Sequence, residues 1–164
     1  MSLIIDGYNL LNAINIVGRG RGRGCLERAR SALLNMLVST LSEDEFATTT
    51  VVFDAKEAPP GLPDVSQHHG VTVRFARGFD EADDLIEQLI RADNVPRSLT
   101  VVSSDHRIQR AARRRRATAI DSDRWFRQLV AHKRDHESES PPVDDKPDGQ
   151  LSPDEVQRWL KEFE

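Results

Sequence analysis

Apolar residues along this 164-residue chain follow two rhythms. Short β-branched and aliphatic runs predict strands near residues 2–5, 48–53, 71–76, 99–103 and 117–120. Stripes at helical spacing predict helices near 26–41, 80–92, 105–115 and 123–133. An unbroken aliphatic run marks a strand covered on both faces, and strand-helix alternation argues for a parallel α/β sheet with right-handed crossovers. Leu26, Ala29, Leu33, Leu37 and Leu41 form one stripe; Ala82, Leu85, Ile86, Leu89 and Ile90 form a second; Trp125, Phe126, Leu129 and Val130 form a third. All three read as core contacts.

The pattern stops after residue 134. Residues 135–150 are Ser, Pro, Asp, Glu and Lys with almost nothing apolar, a composition that cannot bury enough surface to order itself, so they read as an acidic linker. Residues 151–164 read as an amphipathic C-terminal helix. Ser152 and Glu155 make a capping box with Pro153 at the first helical position, and Val156, Trp159, Leu160 and Phe163 share a face. A helix of about twelve residues is marginal alone in water. It is expected to dock on its own body, on a second copy in a homodimer, or in a groove of a protein partner.

Charge separates the same two parts. From Asp135 to Glu164 there are ten acidic and three basic residues, so the tail carries −7 of a total of −4 and residues 1–134 carry +3. A mildly basic body with clustered arginines suits a polyanionic partner. Cys25 is the only cysteine, which excludes an intramolecular disulfide and disfavours a structural zinc site. With no signal-like N-terminus and no apolar run near the roughly 18 residues of a membrane span, a soluble, cytoplasmic protein is expected.

The candidate chemistry lies at strand ends. The run Leu3-Ile4-Ile5 delivers Asp6, followed by Gly7 and Asn9 in what reads as a glycine-loosened turn; Val51-Val52-Phe53 delivers Asp54; Val101-Val102-Ser103-Ser104 delivers Asp105. Asp80-Glu81-Ala82-Asp83-Asp84 opens the second predicted helix. A parallel sheet gathers all of these at its carboxyl edge, where open α/β sheets bind ligands. Capping is the ordinary alternative for Asp6 and Asn9. Successive helical residues diverge by about 100°, so Asp83 and Asp84 cannot both face one pocket. Clustered carboxylates repel unless a cation balances them, and Mg2+ or Mn2+ suits an all-oxygen ligand set. Such an ion can supply a nucleophilic water to a phosphodiester. His68, His69 and His106 lack zinc-ligand spacing, and His106 reads as a helix-surface residue.

Arginines supply the complement. Arg19, Arg21 and Arg23 alternate with Gly18, Gly20, Gly22 and Gly24, which fits sequence-independent phosphate contact but matches neither a P-loop nor a dinucleotide fingerprint. Arg107, Arg110, Arg113 and Arg114, followed by Arg115 and Arg116, lie on the helix begun by Asp105, with no acid again until Asp121. The favoured reading is contact with a nucleic-acid backbone.

Taken in order and spacing over residues 1–134, Leu3 to Leu11, Val51 to Ala55, Glu81 to Glu87 and Val101 to Asp105 resemble the NYN branch of the PIN-like nucleases, and its YacP-like group in particular. The resemblance implies a PIN-like, Rossmann-like three-layer α/β sandwich with a mainly parallel central sheet of about five strands. It implies Mg2+- or Mn2+-dependent RNA cleavage in bacterial RNA processing or ribosome-linked decay. It assigns Asp6, Asp83 and Asp105 to the metal, with Asn9 and Asp54 beside them orienting ligands or water. The extended Gly-Arg repeat departs from the group, and the acidic linker with its helix reads as an addition. The competing reading is a non-catalytic RNA- or ribosome-binding module. A phospho-receiver built on Asp54 fails for want of an acidic pair after the first strand and a lysine after the last.

Overall fold

A computed structural model describes residues 1–14, 23–58 and 60–137, without the side chains of 23, 57 and 135–137. The Gly-Arg repeat up to Gly22 and the expected C-terminal helix thus lie outside the described residues. β1 (Ser2–Asp6), β2 (Thr49–Phe53), β4 (Val71–Phe75), β5 (Leu99–Val102) and β6 (Thr118–Ile120) pair in parallel, and β3 (Val65–His68) adds an antiparallel edge to β4, giving the order β3-β4-β2-β1-β5-β6. α1 (Gly7–Ala13), α2 (Arg23–Thr40) and α6 (Ser122–Glu137) cover one face; α4 (Ala82–Ala92) and α5 (His106–Arg114) cover the other, and a short α3 (Glu43–Phe46) precedes β2. Two apolar clusters result, one on each side of the sheet. Ile5, Val51, Phe53 and Val73 join Leu10, Leu33, Leu37 and Phe126 in the first; Ile4, Val52 and Val101 join Ile86, Ile90 and Ile108 in the second. Alternation along β1 therefore sends Ile5 to one layer and Ile4 to the other. The architecture is the expected three-layer α/β sandwich, with six strands.

The departures have local causes. The turn expected after β1 is absent: α1 starts at Gly7, directly capped by Asp6. Gly7 is there for close approach, because a Cβ on it would lie 2.2 Å from the Phe53 ring. β3 escapes a hydrophobic reading because it is an edge strand with mostly polar, half-exposed side chains. It joins β4 through His69 and Gly70, both at positive φ (49° and 97°), a His-Gly pair doing what Asn-Gly more often does. α4 begins at Ala82, two residues later than expected, and α6 runs to Glu137, four beyond its expected end. Among the described residues no helix is long and apolar enough to cross a membrane.

β1 sits between β2 and β5, so the chain builds outward to β4, returns through α4, and continues on the other side of β1. Open α/β sheets bind ligands in the crevice at such a reversal, which here falls at the carboxyl ends of β1 and β5.

Candidate active site

β1 carries Asp6 to this crevice on the same face as Ile4, toward α4 and α5. The residue is only 7% exposed. Its Oδ1 accepts from the Asn9 backbone N–H at 3.0 Å, and its Oδ2 accepts from the Ser103 hydroxyl at 3.2 Å. Burial pushes the Asp6 carboxyl up to about 6; Asp83 and Asp105 push the same way, against the Asn9 and Ser103 hydrogen bonds. Asp83, in the first turn of α4, is likewise raised by burial and by Asp105, while Arg107 opposes. Asp105 caps α5, its Oδ1 accepting from the backbone N–H groups of Arg107 at 2.6 Å and Ile108 at 3.4 Å. Three elements thus bring Asp6, Asp83 and Asp105 into one electrostatic group. Among the described residues no Lys, Arg or His pairs with Asp6 or Asp105.

The remaining acidic candidates separate. Asp84 turns to Arg107 instead of the crevice, as the 100° offset from Asp83 requires. Asp54 caps a 3-10 turn by accepting from the Lys56 N–H at 2.9 Å, and it is not among the carboxylates acting on Asp6 or Asp83. Asn9 differs most from expectation. Its side-chain oxygen accepts from the Ser104 N–H and the Ser122 hydroxyl, both at 2.9 Å, so it ties α1 to the β5–α5 turn and to α6. Both its lone pairs are committed to that clasp. Nor do the carboxylates already form a closed cage, since among the described residues no three His, Cys, Asp or Glu side chains are gathered tightly enough to hold a metal ion. The donor set still suits a hard cation: a buried Asp6 repelled by the partly buried Asp83 and Asp105, with no balancing positive charge on Asp6. Asp6, Asp83 and Asp105 are the side chains that would hold such an ion, with waters completing its oxygen shell.

Several supporting residues were given no role by the sequence. Ser103, fully buried, donates to Asp6 and accepts from the Asp105 N–H at 3.1 Å, and Gln109 Nε2 donates to its carbonyl at 2.9 Å. Arg30, 6% exposed, donates to the Tyr8 hydroxyl at 2.9 Å with its guanidinium 6.0 and 5.6 Å from the Phe53 and Phe75 ring centres. Its position among Leu26, Leu33 and Leu37 on the buried stripe of α2 was the available signal. Asp121 is held below the usual carboxylate range by the Ser104 hydroxyl, and it also accepts from two backbone N–H groups at the start of α6.

The arginines also divide. Arg110, Arg113 and Arg114 are exposed on α5, Arg113 touching Gln109 Oε1 at 3.2 Å, whereas Arg107 is engaged by acids of α4. His106 is exposed. Arg19 and Arg21 lie outside the described residues, and only the backbone of Arg23, at the start of α2, lies within them.

A model of the YacP-like NYN domain matches residues 3–163. The chain belongs to that family. Its fold is similar to two crystal structures of Rae1 (YacP) from Bacillus subtilis. A single-substitution variant is 26% identical with a TM-score of 0.63, covering 84% of this chain and 80% of that one. The other is 25% identical with a TM-score of 0.60, covering 85% and 79%. No curated protein matches. The family is nuclease-like, which places the chain among hydrolases at a coarse level. Because the family match runs to residue 163, the linker and terminal segment fall within the family's pattern, contrary to their reading as an addition.

Proposed function

We propose that this protein is an endoribonuclease that uses Mg2+ or Mn2+ to cleave RNA in the cytoplasm, in RNA processing or ribosome-associated decay. The observation that carries this reading is a buried Asp6 carboxyl that burial, with Asp83 and Asp105 adding to it, pushes up to about 6, while no cationic side chain of the described residues pairs with it. Such a group costs stability unless a cation arrives. Asp6, Asp83 and Asp105 would hold a hard dication, which when bound would supply a nucleophilic water and neutralise charge on the phosphate. Ser103 fixes one oxygen of Asp6, the Asn9 N–H fixes the other, and the α5 N-terminus fixes Asp105. Arg110, Arg113 and Arg114, with Arg19, Arg21 and Arg23, are the strand-holding residues in this reading, and Asp54 and Asn9 act behind the site.

A non-catalytic RNA- or ribosome-binding module is the second reading, favoured by the capping duties of Asp6, Asp54 and Asp105 and by the absence of a closed cage among the described residues. Asp83 separates the two, because among the described residues its carboxylate accepts no hydrogen bond and its loss costs no cap. Purified protein and Asp83→Asn are incubated with structured and single-stranded RNA in Mn2+, Mg2+ or chelator. The nuclease reading expects cleavage with metal that falls to the chelator background in the variant, with RNA affinity retained. Equal cleavage by both proteins overturns it.

A further inference from the structure

Arg107 stands apart from the other arginines of α5. Its Nη2 donates to Asp84 Oδ1 at 2.6 Å and its Nε to Glu87 Oε1 at 2.7 Å, with Glu81 Oε2 3.9 Å from Nη1. All three acceptors lie on the first turns of α4 or immediately before it, and Arg107 is two residues beyond Asp105. Ile86 and Ile90 of α4 share one apolar cluster with Ile108 and Ala111 of α5, where packing is non-directional, and at the far ends of the two helices Arg115 donates to the Asp93 carbonyl at 3.0 Å. A planar guanidinium forked onto two carboxylates fixes orientation as well as distance, which an ammonium cannot do. With Asp84 and Glu87 pinned on one side of α4, Asp83 is turned toward Asp105.

We propose that Arg107 is a positioning residue, which sets Asp83 against Asp105 by clamping the start of α4 and does not hold the RNA strand. The proposal rests on the reading of Asp6, Asp83 and Asp105 as the metal-holding group. It also removes from the RNA-binding set a residue whose sequence context placed it there.

The test uses the full chain, with Arg107→Ala, Arg107→Lys and Arg110→Ala. Measured are affinity for single-stranded RNA in chelator, Mn2+ affinity of the protein alone by calorimetry, kcat and KM at saturating Mn2+, and hydrogen exchange across residues 82–87. Arg107→Ala is expected to bind RNA in chelator within about twofold of the parent, unlike Arg110→Ala, whose charge faces a phosphate in this reading. Its Mn2+ affinity should fall, because Asp83, one of the three carboxylates that hold the metal in this reading, loses its set position opposite Asp105. Its kcat should fall about tenfold or more with KM unchanged, the mark of a displaced reacting group, and exchange over 82–87 should quicken. Arg107→Lys should leave kcat low. A loss of RNA affinity in Arg107→Ala equal to that in Arg110→Ala overturns the proposal, as does full recovery of kcat by lysine. Should the parent cut no RNA, the nuclease reading falls while affinity in chelator and exchange still decide Arg107: parental affinity with faster exchange supports the clamp, and unchanged exchange sinks it.

Discussion

Asp6 holds its charge where charge is expensive, and that has a measurable sign. Its carboxyl stands at about 6 in the folded protein against 3.8 for the free side chain. Between those values the folded state keeps a proton that the unfolded chain has released, so stability falls as pH climbs through the interval, by about 2–3 kcal/mol, and stays reduced above it. Asp6→Asn cannot titrate. In chelator, chemical unfolding from pH 4 to pH 7.5 should show the parent losing about 2 kcal/mol more than this variant, whatever the fixed cost of the altered Ser103 contact. Mn2+ should then raise the parent's melting temperature at pH 7.5 and leave Asp6→Asn unmoved. Parallel pH profiles would mean that Asp6 titrates as an ordinary exposed aspartate.

Elements here are joined by single polar side chains. The Asn9 side-chain oxygen holds α1, the β5–α5 turn and α6 together through Ser104 and Ser122. Asn9→Ala strands a half-buried N–H and a hydroxyl, and should cost about 2–3 kcal/mol in urea unfolding. Ser122→Ala removes one partner and should cost about 1 kcal/mol. The double variant should cost less than the two together, since both act on one node; strict additivity would dissolve the clasp. Such joints explain what the sequence could reveal. Asp6, Asp83 and Asp105 were legible because strand ends and a first helical turn are local patterns, and parallel topology alone sends them to one edge. The work of Asn9 was not legible, because its partners lie 95 and 113 positions away. Arg30 reaches across 22 positions to Tyr8 from inside an apolar stripe. The pairing of Arg107 with Asp84 and Glu87, 23 and 20 positions back, needed the packing of α4 against α5 before it could be seen. β3 was hidden because an edge strand has no apolar run to show.

At the scale of the whole molecule, the charge of the body is spread along α5. This helix starts at the acidic crevice with Asp105 as its cap and ends at Arg114, about 13 Å away at 1.5 Å per residue. Its exposed Arg110, Arg113 and Arg114 therefore form a track leading away from the carboxylates, so a strand held along it would present one phosphate to the site while others meet positive charge. Contacts of this kind release counterions, and for single strands each neutralised phosphate adds about 0.7 to the dependence of log affinity on log salt. Arg110→Ala, Arg113→Ala and Arg114→Ala should each weaken RNA binding in chelator and flatten that slope by about 0.7, and the triple variant should flatten it by about 2. Sequence preference should not change, because phosphate contacts carry no base information. At saturating RNA the cleavage rate of Arg114→Ala should stay near the parent's, as its charge sits farthest from the carboxylates. Titrations at several salt concentrations decide the matter: a triple variant with the parent's slope would mean that RNA does not run along α5, and the basic surface that binds it would have to be sought in the Gly-Arg repeat.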